Sequence, residues 1–307
     1  MALDPQAQAM LDAFAAMVKL DLSQLTMPAY RAMVGAGGVF AAGDEIAAEE
    51  DWAVPTSTGS IAARLYRPRG TVPFPLTVFF HGGGFIACDL DTHANICRCL
   101  AQRAQTLVLA IDYRLAPEAR FPAAALDACD AARWAAQSTA DLGARPGAIA
   151  LAGDSAGGNL AAVAAQHLRD HKIDVAHQLL FYPVVDCGVE YPSYESFGTG
   201  YFLTAAMMRW FKDLYFEAGA DRANPLASPL AGKLSGVASA TIISAEYDPL
   251  RDEAEHYATR LAQAGVVTTH LRWPGQMHGF ASALGFLDAA DHAITLAAQT
   301  LRHALHA

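Results

Sequence analysis

The sequence predicts an α/β fold: a mostly parallel central sheet flanked by helices, with a helical cap. Three observations predict it. Apolar runs of strand length (Pro75 to Phe80, Thr106 to Ile111, Ala148 to Ala152, Gln178 to Tyr182, Ala240 to Glu246, Val266 to Arg272) alternate with helical stretches, which is the mark of βαβ units. Several of these runs are continuously apolar, as strands covered on both faces must be. Two of them end in glycine-rich turns, His81-Gly82-Gly83-Gly84 and Gly153-Asp154-Ser155-Ala156-Gly157, at the strand ends where open sheets gather ligands.

Taken in order, the chain opens with Met10, Phe14, Met17 and Val18 on one helical face, a pattern for a helix that covers the core or forms part of a lid. Leu20, Leu22, Leu25 and Met27 continue the apolar supply and Pro28 breaks it. From Asp51 the period changes, and Ile61 to Arg67 alternates like a half-exposed strand ending at Pro68-Arg69-Gly70. The strand Pro75 to Phe80 runs straight into three glycines, which lack the Cβ that would stop backbone amides turning towards a ligand. Cys88 to Gln105 reads as a helix, Thr106 to Ile111 as a buried strand, and Pro122 to Gln137 as a helix with proline near its first turn. The next strand leads into Ser155, and Leu160 to Leu168 is rich in helix formers.

Beyond Gln178 to Tyr182, stopped by Pro183, the rhythm lapses from about Cys187 to Asp221. Here Met207, Met208, Trp210, Phe211, Leu214, Tyr215 and Phe216 crowd together. Plain helix-to-sheet packing would use such residues; a cap helix lining an apolar pocket is the reading preferred. The rhythm resumes with Ala240 to Glu246, a helix from near Arg251, a last strand over Val266 to Arg272, and a helix from about Leu284. The expected organisation is a single domain over residues 1–307, capped by about 1–45 and about 187–221.

Composition narrows the function. In 307 residues, 53% are hydrophobic and 17% charged, enough apolar matter for a sizeable core and too little charge for disorder. A net charge of −10 without any basic run argues against nucleic acid as a partner. No apolar stretch reaches the roughly 18–20 residues that span a bilayer, and Met1 to Pro5 lacks the features of a signal peptide, so the cytoplasm is the expected location. Five cysteines, an odd number in a chain this long, make no disulfide framework. Cys97-x-Cys99 with Cys88 and His93 fits none of the usual zinc spacings, so no metal is expected.

The chemistry centres on Gly153-x-Ser155-x-Gly157. A serine on a sharp strand-to-helix turn exposes its hydroxyl and leaves the amide of Ala156 at a helix N-terminus. The hydroxyl is a weak nucleophile until a base takes its proton and a third group orients that base. Of eleven histidines, His278 alone sits in a loop just past the last strand. Asp248 follows the strand that ends at Glu246, with Pro249 fixing the turn; Asp252 is expected to cap or favour the start of the next helix. The order Ser155, Asp248, His278 is that of an α/β-hydrolase triad. Gly83, Gly84 and Ala156 are the expected oxyanion-hole donors. Phe85, Asp154, Met207, Met208 and Phe211 are the expected substrate contacts.

His81-Gly82-Gly83-Gly84, Asp112 to Glu118 with Phe121-Pro122, Gly153 to Gly158, Asp248 to Glu253 and His278-Gly279-Phe280 together resemble the bacterial hormone-sensitive-lipase-like esterases, from about residue 60 onward. The resemblance implies hydrolysis of short- to medium-chain carboxylic esters through an acyl-serine, without metal or cofactor. It also implies a cap from the N-terminal helices and the insertion after Tyr182, and a homodimer. The alternatives are an amide or formamide hydrolase with the same triad, and a non-catalytic small-molecule receptor. The latter resembles the plant gibberellin receptor, in which an apolar residue replaces the triad histidine; here His278 is present.

Overall fold

The computed structural model describes residues 2–17, 24–37 and 41–306. Its strands are β1 (Ala48–Thr56), β2 (Gly59–Arg67), β3 (Leu76–Phe80), β4 (Leu107–Ile111), β5 (Ile149–Asp154), β6 (Val175–Phe181), β7 (Ser239–Tyr247) and β8 (Thr268–Met277). They form one sheet in the order β1-β2-β4-β3-β5-β6-β7-β8. β1 and β2 pair antiparallel and β2 lies antiparallel to β4, while the pairs from β4 through to β8 are parallel. This is an α/β-hydrolase fold.

The helices are α1 (Pro5–Met17), α2 (Met27–Gly37), α3 (Ala94–Ala104), α4 (Ala123–Gln137), α5 (Ala156–Asp170), α6 (Pro192–Phe197), α7 (Ala205–Tyr215), α8 (Arg251–Gln263) and α9 (Asp288–His306). Because successive strand residues point to opposite faces, β3 divides its side chains. Val78 and Phe80 join the core under α4, α5 and α8. Phe79 joins the core under α3 and α9. All five residues of β3 and of β4 are buried, as strands covered on both faces require.

Several expectations need correction. Strand β1 was not anticipated: at the sheet edge half-buried Ala48, Glu50 and Trp52 alternate with exposed Glu49, Asp51 and Ala53. The helix expected from Cys88 starts only at Ala94. Residues 88–93 turn instead, with Asp89 Oδ1 accepting the amides of Asp91 and Thr92. Pro28 lies in the first turn of α2, where its missing N–H has no partner to lose. The last strand runs on to Met277, and a 3-10 turn at Phe280–Ser282 delays the final helix to Asp288. Asp252 stands in the first turn of α8, as expected of a carboxylate that favours a helix start, but it is not the cap: its Oδ2 accepts the amide of Ser193 in α6 and its Oδ1 pairs with Arg251.

Within the insertion, α7 is started by Thr204, whose hydroxyl oxygen accepts the Met207 amide at 3.1 Å. Val18, Leu20 and Leu22 lie outside the described residues. No described helix is long and apolar enough to cross a membrane.

Candidate active site

The turn between β5 and α5 is built by its glycines. A Cβ at Gly157 would lie 1.9 Å from the Phe80 carbonyl oxygen, and one at Gly153 would lie 2.3 Å from the Gly157 carbonyl oxygen. Neither separation is sterically possible, so the close approach of β3, β5 and α5 requires glycine at both positions. Between them Ser155 takes φ +54° and ψ −117°, a strained region for a residue with a side chain. Its amide donates to Phe181 and its carbonyl accepts the Val184 amide at 3.1 Å, so the end of β6 clasps the turn from both sides.

Three loops at the same end of the sheet bring Ser155, His278 and Asp248 together. His278 Nε2 lies 2.9 Å from Ser155 Oγ, and His278 Nδ1 lies 2.7 Å from Asp248 Oδ2. Asp248 is fully buried, and its Oδ1 accepts the Leu250 amide at 2.8 Å. An imidazole that donates from Nδ1 to this carboxylate leaves Nε2 free to accept the serine proton. The arrangement can therefore move a proton off the hydroxyl. Tyr182 packs its ring 4.7 Å from that of His278 and limits its tilt.

The glycine loop after β3 is held just as firmly. Gly83 and Gly84 have φ of +107° and +63°, values that glycine adopts at no steric cost. Gly82 donates its amide to Asp154 Oδ1 at 2.8 Å, and Tyr113 donates its hydroxyl to the His81 carbonyl at 2.8 Å while stacking on the His81 ring. His93 Nε2 sits 3.2 Å from Asp154 Oδ1. Burial pushes the Asp154 carboxyl up, but the His93 imidazole hydrogen-bonded to it outweighs burial and holds it below the ordinary range. Burial, reinforced by His93, lowers His81 to about 4, so its ring is neutral near pH 7. Ala156 opens α5, where a helix leaves its amides without intrahelical acceptors.

A cavity of about 250 Å³ reaches Ser155 and His278. Its walls come from α1 (Met10, Phe14), α2 (Tyr30, Met33, Val34) and α7 (Met207, Phe211), with Phe202 and Leu203 before α7. Asp154, Gly83 and Gly84 also line it. A second recess of about 10 Å³ opens beside Ser155 and Gly84, bounded by Phe85, Met208 and Phe211. Phe85 stacks on Tyr215, with ring centroids 4.1 Å apart. Of the residues singled out from sequence, Gly83, Gly84, Asp154, Ser155, Met207, Phe211 and His278 line the main cavity and Phe85 and Met208 the inner recess, whereas Asp248 and Ala156 line neither; α2, Phe202 and His93 are additions. Only tertiary packing brings those additions there; a local signal exists for His93 alone, as a histidine shortly after the glycine loop.

Comparison with known proteins bears on the fold and the family. Residues 77–282 match the family described as the alpha/beta hydrolase fold. The carboxylic ester hydrolase LipN of Mycobacterium tuberculosis is 46% identical over 239 residues, 75% of this chain and 63% of LipN. The ethyl acetate hydrolase of Pseudomonas putida is 37% identical over 269 residues, 85% of each protein. A solved hyperthermophilic esterase from the archaeon Pyrobaculum calidifontis superposes with a TM-score of 0.95 at 39% identity, covering 99% of both chains. The chain belongs to the α/β-hydrolase family, in its hormone-sensitive-lipase-like branch, and is a carboxylic ester hydrolase.

Proposed function

We propose that Ser155, His278 and Asp248 form the catalytic triad of a serine carboxylesterase acting on short- to medium-chain esters. The observation that carries this is the unbroken hydrogen-bonded line from Ser155 Oγ through His278 to Asp248, at 2.9 and 2.7 Å. Ser155 Oγ attacks the ester carbonyl while Nε2 takes its proton. Asp248 keeps the imidazole in the required tautomer and stabilises the imidazolium. The amides of Gly83, Gly84 and Ala156 hold the oxyanion. The imidazolium returns the proton to the departing alkoxide, the alcohol leaves, and an acyl-serine remains. Water then repeats the sequence and releases the acid.

The two spaces beside Ser155 suggest how the ester lies. A recess of about 10 Å³ has room for a group no larger than about one water, which suits a short acyl end. The 250 Å³ cavity takes the bulkier half, against Met207 and Phe211. In this reading α1, α2, α6 and α7 act as the cap. The five free cysteines, four of them buried, suit a reducing cytoplasm. A homodimer belongs to the same proposal; β8 at the end of the sheet offers an edge for it.

Hydrolysis of p-nitrophenyl esters from acetate to palmitate, run beside S155A, tests the reading. A short-chain optimum lost in S155A is expected. A palmitate optimum would refute the assignment of the recess, and turnover of matched anilides but not esters would make the enzyme an amidase.

A further inference from the structure

Glu253 is fully buried, yet the triad chemistry makes no use of it. Its Oε1 accepts the amides of Val185 and Asp186 at 2.9 and 3.3 Å, while its Oε2 has no hydrogen-bond partner among the described residues. Those amides belong to the segment leaving β6. One residue earlier, Val184 donates its amide to the Ser155 carbonyl, and its own carbonyl accepts Asn159 Nδ2 of α5 at 3.0 Å. On its other side Glu253 stands in the first turn of α8, five residues after Asp248. We infer that Glu253 is a positioning residue that ties the acid loop to the serine turn through Val184–Asp186, and that its charge state sets how well the tie holds. The inference rests on the triad reading above.

The surroundings define the sense of the switch. Burial pushes the Glu253 carboxyl up to about 8, against the two amides and the Lys212 ammonium, which favour the anion; Asp186 adds to the rise. The groups that face it are Lys212 of α7, Tyr191 and Tyr194 at α6, and Asp186 and Cys187 of the segment itself. Lys212 is buried and places its ammonium 5.4 Å from the Tyr194 ring centroid; no hydrogen bond joins it to the carboxyl. Near pH 7 the group is a neutral carboxylic acid whose Oε1 satisfies two amides without a buried charge. Above its titration it becomes a desolvated anion with one oxygen unpaired, an arrangement that low polarity disfavours strongly. The segment then relaxes, and with it the Ser155 to His278 alignment.

The test is kcat and KM for p-nitrophenyl acetate between pH 6 and 10 in wild type, E253Q, E253L and S155A. Glutamine keeps the acceptor and cannot ionise, so E253Q should retain most of the turnover at pH 7 and lose the fall in kcat centred near 8. Leucine removes the acceptor, and misalignment of that order lowers kcat by about 10²-fold with KM little changed. If E253L does not fold, the pH profile of E253Q still decides. An alkaline fall in E253Q equal to that of wild type, or an E253L enzyme with wild-type kcat, overturns the inference while S155A remains inactive. Turnover that survives S155A overturns the triad reading, and this inference with it.

Discussion

At the scale of single residues, the site is a set of close approaches that tolerate little change. Gly157→Ala would drive a Cβ to within 1.9 Å of the Phe80 carbonyl. Backbone cannot step aside as a flexible side chain does, so the expected loss is at least the roughly 1–3 kcal/mol of core overpacking. Thermal unfolding of G157A measures it, and an unchanged midpoint would show that β3 and α5 approach less closely than described. Asp154 works through charge rather than shape. Its carboxylate holds Gly82 at 2.8 Å and is itself held ionised by the His93 imidazole beside it. D154N keeps the volume and weakens the hold on the glycine loop. The expected result is a fall in kcat of up to about 10²-fold, within the range for losing one oxyanion donor, with KM moving less. Equal kcat in D154N and wild type would separate the glycine loop from catalysis.

At the scale of elements, α7 lines both spaces beside the serine. Phe211 borders both the main cavity and the inner recess, and its ring lies against Gly84, where a Cβ would come within 2.6 Å of it. Tyr30 of α2 packs on the same ring at 5.9 Å and on Trp210 at 5.2 Å. F211A should merge the two spaces and move the p-nitrophenyl ester optimum to a longer acyl chain; an unmoved optimum would place the acyl group elsewhere. The part of this site that can be read in the sequence follows from locality. Ser155 and its flanking glycines are contiguous, and Asp248 and His278 each follow a strand within a few residues, so motif and strand order together single them out. The walls contributed by α1 and α2 are not local to the serine, and no period in the sequence says which helix faces it. Glu253 was hidden for a different reason. An acid in the first turn of a helix is ordinarily a solvated partner of the helix dipole, and nothing in the sequence near Asp252 and Glu253 marks one carboxyl as fully buried. Strand β1 went unseen because Glu49, Glu50 and Asp51 give an edge strand the look of a loop.

At the scale of the whole molecule, buried titratable groups bound the pH range of the fold from both sides. Burial lowers both His81 and His177 to about 4, below an ordinary histidine at about 6.5. The unfolded chain therefore binds more protons than the folded one in that window, and stability present above about 6.5 is lost as pH falls towards 4. Glu253 acts in the opposite sense. Its folded value of about 8 lies above the ordinary 4.5, so its contribution is fully present at the lowest pH and is lost as pH rises through 4.5 towards 8. Thermal midpoints from pH 4 to 9 should decline at the acid end, and E253Q should lose the glutamate contribution to the neutral-to-alkaline decline. H177Q, whose amide can still meet Ser239 and Thr241, should flatten part of the acid limb. A midpoint independent of pH over this range would contradict the burial of all three groups.

The most direct test of the central claim, that Ser155 is the nucleophile of an ester hydrolase, is covalent trapping. The protein would be treated with a p-nitrophenyl phosphonate, its intact mass recorded, and the adduct mapped by peptide sequencing. The triad predicts one phosphonyl group per chain, located on Ser155, with release of one p-nitrophenol and complete loss of ester turnover, and no adduct in S155A. A modification on any other residue, or full activity in protein that carries the adduct on Ser155, would contradict it.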